Sequence, residues 1–332
     1  SGFFSSGSSA VVDLIKEYKN AFECDAEIRI IKDPYGIAQL EQSLIDHWDL
    51  LNSAASINDF FWLCNICYRN NRHPFSRVGL NYKHKISKKF MLYTHEFINS
   101  ISSYTYHSDF FYQKFKKSYF QYVVDRIRMG IEYYSHGNLK IANRKGPVSY
   151  FAHPSREQFQ EAVKCYLEKI FTEKYLEKEG NIILDQAIST NDTDAIHRYF
   201  RNCKMIIVDR DPRDMYVEDI VKWIENLDHD VSSAAAGKKY VKKHKALRES
   251  IPYNDSDILQ ISFENLVYNY DVTKEKIEDF LGLKPEDHIK PFCYFNPNNS
   301  MKNIGIWKKY YSQYKGALDV LSESLEDFCY GK

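Results

Sequence analysis

The chain opens SGFFSSGSSAVVDLIKEY (residues 1–18). Gly2 and Gly7 enclose four residues, and two hydroxyl residues, Ser8 and Ser9, follow at once. Val11, Val12, Ile15 and Tyr18 then recur at helical spacing, which predicts a helix from Ser8 to Phe22. A glycine loop running into a helix is the frame of a phosphate-gripping loop, G-x-x-x-x-G-K-S/T, here with Ser8 where the lysine stands. Backbone N–H groups in such a loop form a concave anion site, and Ser8 and Ser9 can donate to phosphate oxygens. Residues 5–9 alone also fit a flexible terminus, so the reading depends on the rest of the chain. A buried strand is expected before a loop of this kind, and only Ser1 precedes it, so the start reads as truncated.

Composition narrows the classes. The 332 residues suffice for one large domain or two small ones. Lys plus Arg and Asp plus Glu number 45 each, so no global field favours nucleic acid or an anionic membrane, and any anion needs a local site. No apolar run reaches the length of a membrane span and no signal peptide is visible. Seven scattered cysteines suit reduced thiols in a cytoplasm better than a disulfide framework. Aromatic residues, 15% of the chain, supply a core amply.

Strand and helix signals alternate through the second half. Residues 181–185 (NIILD) and 204–208 (KMIIV) read as strands, as does 257–266 (DILQISFENL). Pro212 stands at the first position of the helix that follows an Arg-Asp-Pro turn. Residues 273–283 form a helix closed by Gly282, and Ser155 with Gln158 makes a capping box for a long helix over 155–178. Near the start, AEIRII (26–31) alternates like a strand. The stretch 35–150 reads as wholly helical and aromatic, an insertion or cap within a single domain of residues 1–332. The fold class is therefore α/β, a parallel sheet with helices on both faces and a large helical insertion.

Arg210 directly follows the strand 204–208, at the carboxyl end where a parallel sheet faces its ligand crevice. Its planar fork suits a phosphate. Here the chain resembles the sulfotransferases that use 3′-phosphoadenosine 5′-phosphosulfate (PAPS), with a P-loop nucleotide-kinase-like fold, and in particular bacterial carbohydrate-type members. That family's first signature is a basic residue, Ser-Gly and two hydroxyl residues; here it is Ser5, Ser6, Gly7, Ser8 and Ser9. Its second is a strand ending in Arg-Asp/Asn-Pro-x-Asp, here IIVDRDPRD. The segments ISFENLVYNYDVTKEKIEDFLGL and SMKNIGIWKKY resemble its later signatures, and all four stand in family order.

The resemblance implies that the loop holds the 5′-phosphosulfate, and that Arg210, with Lys302 and Asn303, serves the 3′-phosphate. It implies 3′,5′-adenosine bisphosphate as product and no metal. Two departures stand out. Ser5 replaces the expected basic residue, with Lys302 or Lys308 as substitutes. Glu218 replaces a serine eight residues after the arginine; its charge would repel a 3′-phosphate, so it is expected to turn away unless the nucleotide sits differently.

A general base must take the acceptor's proton. Glu27 is the first candidate and Asp185 the second, with Arg29 beside Glu27 as in several carbohydrate and tyrosine sulfotransferases. Glu27 and Arg29 also fit the solvent face of an alternating strand. His153 and His197 are weaker candidates. Cys64, Cys67, His73 and His84 nominally suggest zinc, but the two cysteines read as a buried helix face. GKKYVKKHKALR (237–248) holds six Lys or Arg in twelve residues and reads as a solvated face that could steer an anion. The aromatic residues of 55–135 could line a sugar cleft, and more of them read as core. The function expected is sulfuryl transfer from PAPS to a carbohydrate hydroxyl, with the oligomeric state left open. The alternatives are a phosphotransferase with a degenerate loop, and a nucleotide- or glycan-binding homologue without catalysis.

Overall fold

The structure, a computed structural model, describes all residues except 25, 71–78, 109, 116–117, 137–146, 176–179, 221–229, 250–254 and 332. The main elements are α1 (Ser9–Ile15), β1 (Ala21–Glu23), α2 (Leu50–Tyr68), α3 (Phe90–Ile101), β2 (Ser102–His107), α4 (Tyr119–Tyr134), β3 (Val148–Ala152), α5 (Arg156–Thr172), β4 (Asn181–Ile183), β5 (Met205–Asp209), α6 (Pro212–Asp219), α7 (Ala234–Ala246), β6 (Ile258–Ser262), α8 (Phe263–Tyr268), α9 (Tyr270–Leu281) and α10 (Lys315–Ser324). The chain divides into two compact units, 1–28 with 171–332, and 29–170. The inserted unit thus starts before, and ends after, the 35–150 stretch.

The unit formed by 1–28 and 171–332 is α/β, with parallel pairs. β1 pairs with β4 and β5 with β6. Ser1 and Gly2 add a short parallel bridge to β5: the Ser1 nitrogen donates to the Ile206 carbonyl at 2.9 Å, and Val208 N–H donates to the Ser1 carbonyl at 3.1 Å. Met205 to Val208 are all buried, as a strand covered on both faces requires. Ile206 and Val208 pack with Val11, Leu14 and Ile15 of α1 and with Phe263 and Leu266 of α8. A second cluster joins Tyr216 and Val217 of α6 to Leu318 and Leu321 of α10. α9 closes on Gly282, whose φ of +68° suits a left-handed cap.

Three expectations need correction. The strand read over 257–266 ends at Ser262, whose hydroxyl accepts from Asn265 N–H at 3.1 Å and opens α8 at Phe263. The first strand lies at 21–23, not 26–31, because Ile28, Ile30 and Ile31 are all buried, which breaks the alternation a half-exposed strand needs. The first helix stops at Ile15 rather than Phe22, since Phe22 is already in β1.

The unit 29–170 is not wholly helical: β2 and β3 pair antiparallel, with Thr105 opposite Tyr150. Tyr104, Thr105 and Tyr106 have the aromatic and β-branched side chains that fit a pleated surface. Its core is aromatic, with Phe60, Phe90, Tyr82 and Tyr166 fully buried. Cys64 and Cys67 sit in that core, where burial pushes both thiols up, Cys67 to about 12. His73 lies outside the described residues. The Ser155–Gln158 capping box forms, with reciprocal bonds of 3.0 and 3.2 Å. α4 departs from the core reading of its aromatic residues: Tyr119, Phe120, Tyr133 and Tyr134 are among the most exposed side chains.

Candidate active site

The opening loop turns through two left-handed residues, Ser5 (φ 58°) and Gly7 (φ 83°). Gly7 is required twice over, because a Cβ there would also meet the Phe263 ring at 2.7 Å. The loop is fixed at three points. Ser6 N–H donates to the Phe3 carbonyl at 3.0 Å, the Ser5 hydroxyl donates to Asp219 at 2.7 Å, and the Ser1 hydroxyl donates to the Ile188 carbonyl at 2.9 Å. Ser6 is 1% exposed, and among the described residues its hydroxyl meets no hydrogen-bond partner. A buried, orphaned hydroxyl is costly unless a ligand completes it.

Arg210 leaves the carboxyl end of β5 and is 4% exposed. Its guanidinium donates to the Ser5 carbonyl at 2.9 Å, to the Asn303 carbonyl at 2.5 Å, and to the Glu218 carboxylate. It also stacks near Phe263, 5.2 Å from the ring centre. Glu218 therefore does not turn away. One turn of α6 separates it from Asp214, and the helix aims it back at the strand end, where Arg210 offers a strong charge-assisted bond.

Carboxylates hold the surrounding backbone. Asp214 accepts from Gly305 N–H at 2.7 Å and Trp307 N–H at 3.0 Å, which ties the C-terminal glycine-tryptophan loop to α6. Burial pushes its carboxyl above the usual range. Glu264, at the start of α8, accepts from Asp211 N–H at 2.9 Å, and burial pushes its carboxyl up to about 7. Asp211 caps α6 through Arg213 N–H at 2.9 Å. Asp214, Asp219 and Glu264 escaped the sequence reading. Asp214 and Glu264 lie inside stretches already singled out, but their partners stand 91 and 53 residues away, and nothing local signals them.

Of the residues singled out in the sequence, Ser5, Gly7, Arg210 and Asn303 come together. Lys302 is exposed, and Lys308 lies over the Trp307 ring at 5.8 Å. Glu27 and Asp185 are neighbours through their backbones: beyond β1 and β4, Ile28 N–H donates to the Asp185 carbonyl at 3.1 Å. Both are half-buried. The loop's hold on Ile188 brings it close along the chain to Asp185. Arg29 belongs to the unit 29–170, where it pairs with Asp33 at 3.5 Å.

His197 bonds Asp255 at 2.9 Å and is exposed. In the run 237–248, Arg248 is buried against Asp209, 2.8 Å from Nε to Oδ2, whereas Lys238, Lys239, Lys242 and Lys245 are exposed. Within the unit 29–170, a groove of about 560 Å³ is lined by Tyr93, Glu96, His153, Gln158, Glu161 and Lys169.

A model of the sulfotransferase family matches residues 110–287, more than half of the chain. The match takes in Asp185, Arg210, Glu218 and Glu264 and leaves the opening loop and the C-terminal loop outside it. No curated protein matches.

Proposed function

The chain belongs to the sulfotransferase family, and from that premise we propose that it carries a sulfuryl group from PAPS to a hydroxyl of a carbohydrate, such as a cell-surface glycan. One observation carries the donor reading. Three stretches far apart in sequence, the opening loop, the Arg-Asp-Pro turn and the segment at Asn303, meet on the single guanidinium of Arg210. An arginine that gathers two loop carbonyls fixes the walls of an anion site as well as its charge.

PAPS would bring the activated sulfuryl group and depart as 3′,5′-adenosine bisphosphate. The chain's own residues then have separate tasks. The Ser5–Ser9 loop grips the 5′-phosphosulfate, with the orphaned Ser6 hydroxyl as a donor in waiting. Arg210, beside Asn303 and Lys302, serves the 3′-phosphate. The Glu27 carboxylate takes the proton that the acceptor hydroxyl loses as its oxygen bonds sulfur and the phosphate oxygen leaves. Asp185 is the alternative base. Positioning and fixed charge supply most of the barrier reduction in transfers of this kind. The carbohydrate acceptor draws support from the glutamate position and the aromatic-rich insertion. A cytoplasmic setting fits seven free cysteines.

Glu218 favours a second reading, a nucleotide-binding homologue without catalysis, since it already holds the arginine meant for the 3′-phosphate. Titration of the intact protein with 3′,5′-adenosine bisphosphate against ADP tests the donor site. A preference of about tenfold, or 1.4 kcal/mol, for the 3′,5′ compound is expected. Equal or reversed affinity ends the PAPS reading. Turnover with PAPS that disappears in Glu27→Gln separates the enzyme from the binding homologue.

A further inference from the structure

α7 is a cationic helix laid beside the opening loop. Over Ala234–Ala246 it carries five lysines and no acid, in a chain whose total charge cancels. Three contacts fix where it lies. Gly237 admits the backbone of α10, for a Cβ there would stand 2.7 Å from the Ala317 carbonyl. Tyr240 meets the ring of Tyr216 in α6 at 5.0 Å. Just past the helix end, Arg248 is buried over the Phe3 ring, 3.7 Å from its centre, and bonds Asp209.

This placement brings one lysine to the loop. The Lys243 ammonium lies 5.3 Å from the centre of the Phe4 ring and 3.8 Å from an oxygen of Asp219. The other oxygen of Asp219 accepts the Ser5 hydroxyl at 2.7 Å. Ser5 and Lys243 are thus one carboxylate apart.

Arg210, Arg248 and Lys243 all touch residues 3–5, and they are not equivalent. Both arginines are buried and each bonds a carboxylate, Glu218 for Arg210 and Asp209 for Arg248. The Lys243 side chain is 51% exposed, and its distance to Asp219 is too long for a hydrogen bond. An exposed, loose ion pair is worth little and is readily exchanged. Residues 1–12 carry no charged side chain, so the loop offers a bound dianion only N–H groups and hydroxyls. A dianion there competes with the single charge of Asp219 for the same ammonium, and Coulomb's law favours the dianion.

We propose that Lys243 is the exchangeable cation of the opening loop, a binding residue whose ammonium leaves Asp219 for the anionic group at the 5′ end of a nucleotide. The proposal rests on the reading of Ser5–Ser9 as the donor's 5′ site.

Calorimetric titration of the full chain tests it, with 3′,5′-adenosine bisphosphate and with adenosine 3′-monophosphate, which lacks the 5′-phosphate. Lys243→Met should lower affinity for the bisphosphate about tenfold and flatten its salt dependence, with affinity for the 3′-monophosphate unchanged. Lys243→Arg should keep most of the affinity, since the charge remains. Asp219→Asn keeps an amide oxygen for Ser5 and removes the competing charge, so affinity for the bisphosphate should rise about threefold. Lys245→Met takes the same charge from the same helix and should leave both affinities within about twofold of the intact chain. A Lys243→Met variant that binds the bisphosphate like the intact chain overturns the proposal and leaves the donor reading standing. So does an equal loss for the two nucleotides, or a loss in Lys245→Met as large as in Lys243→Met. An Asp219→Asn variant as weak as Lys243→Met makes the pair a fastening of the loop, which overturns the proposal as well. If the intact chain binds neither nucleotide, the donor reading and this proposal fall together.

Discussion

The two units of this chain are filled by different chemistry. In the unit 29–170 the largest buried side chains among the described residues are Tyr82, Tyr166, Phe60, Phe90 and Phe159, packed ring against ring; Phe97 and Tyr166 stack at 5.0 Å. In the unit of 1–28 and 171–332, buried carboxylates hold backbone that no helix or strand would order. Glu17 is 0% exposed and accepts from Phe292 N–H at 3.1 Å, Tyr294 N–H at 2.8 Å, Phe295 N–H at 2.9 Å and His288 at 2.7 Å. Asp214 does the same for the glycine-tryptophan loop and Glu264 for the Arg-Asp-Pro turn. An aromatic core tolerates exchange so long as volume is kept, whereas a carboxylate that serves several N–H donors has no substitute of the same shape. The unit that presents the candidate donor site is the one whose loops are held by fixed polar anchors.

The largest effect should expose that difference directly. Glu17→Gln keeps the volume but turns one acceptor oxygen into a donor facing N–H groups. It should cost about 3 kcal/mol by chemical denaturation. Ile98→Leu, a volume-conserving exchange at a fully buried position of the unit 29–170, should cost only about 1 kcal/mol. Equal costs for the two would erase the contrast between a core set by polarity and one set by volume.

This difference also governs what could be read from the sequence. β5, the Pro212 helix start, the Ser155–Gln158 box and the Gly282 cap were legible because each is settled within a few residues. The loop, the arginine turn and the C-terminal segment were each legible alone. Their meeting on Arg210 was not, because the contacts from Arg210 to Ser5 and to Asn303 span 205 and 93 residues. The anchors were illegible for the same reason: Glu17 looks like an ordinary helix acid until the segment 288–295 folds over it. In α4, the helix was legible but not that Tyr119, Phe120, Tyr133 and Tyr134 stand exposed, against the reading of such residues as core. The isoleucines of 26–31 misled because turns can bury apolar residues as well as strands do.

A smaller effect asks what the buried acids contribute, charge or acceptor oxygens. The carboxyl of Glu264 is raised to about 7 in the folded chain. The folded state therefore holds its proton more tightly than the unfolded chain, and the resulting stability is present at acid pH and lost as pH rises through about 7. Glu264→Gln leaves an amide oxygen for Asp211 N–H and removes the titration. The variant should be flatter in stability between about pH 5 and 8, and at pH 8 should stand about 2 kcal/mol higher relative to the unmodified chain than at pH 5. Parallel pH profiles would mean that Glu264 matters for its charge, as the paired acids do.

The smallest effect concerns the carboxylate that holds Arg210 itself. Glu218 gives its carboxylate to the guanidinium of Arg210. A 3′-phosphate seeking that arginine must displace the carboxylate or sit beside it, and the second course sets two negative groups together. Glu218→Ser restores the hydroxyl found in the resembled motif and frees one edge of the guanidinium. Affinity for 3′,5′-adenosine bisphosphate should rise about tenfold, near 1.4 kcal/mol, while affinity for ADP, which has no 3′-phosphate, stays put. The variant should also melt slightly lower, because Arg210 loses a charged partner while it keeps the Ser5 and Asn303 carbonyls. A rise for both nucleotides would make Glu218 a general repulsive charge. No rise for either would make it structural, one more carboxylate of the kind that holds this unit together, and the arginine would then belong to the scaffold and not to a ligand.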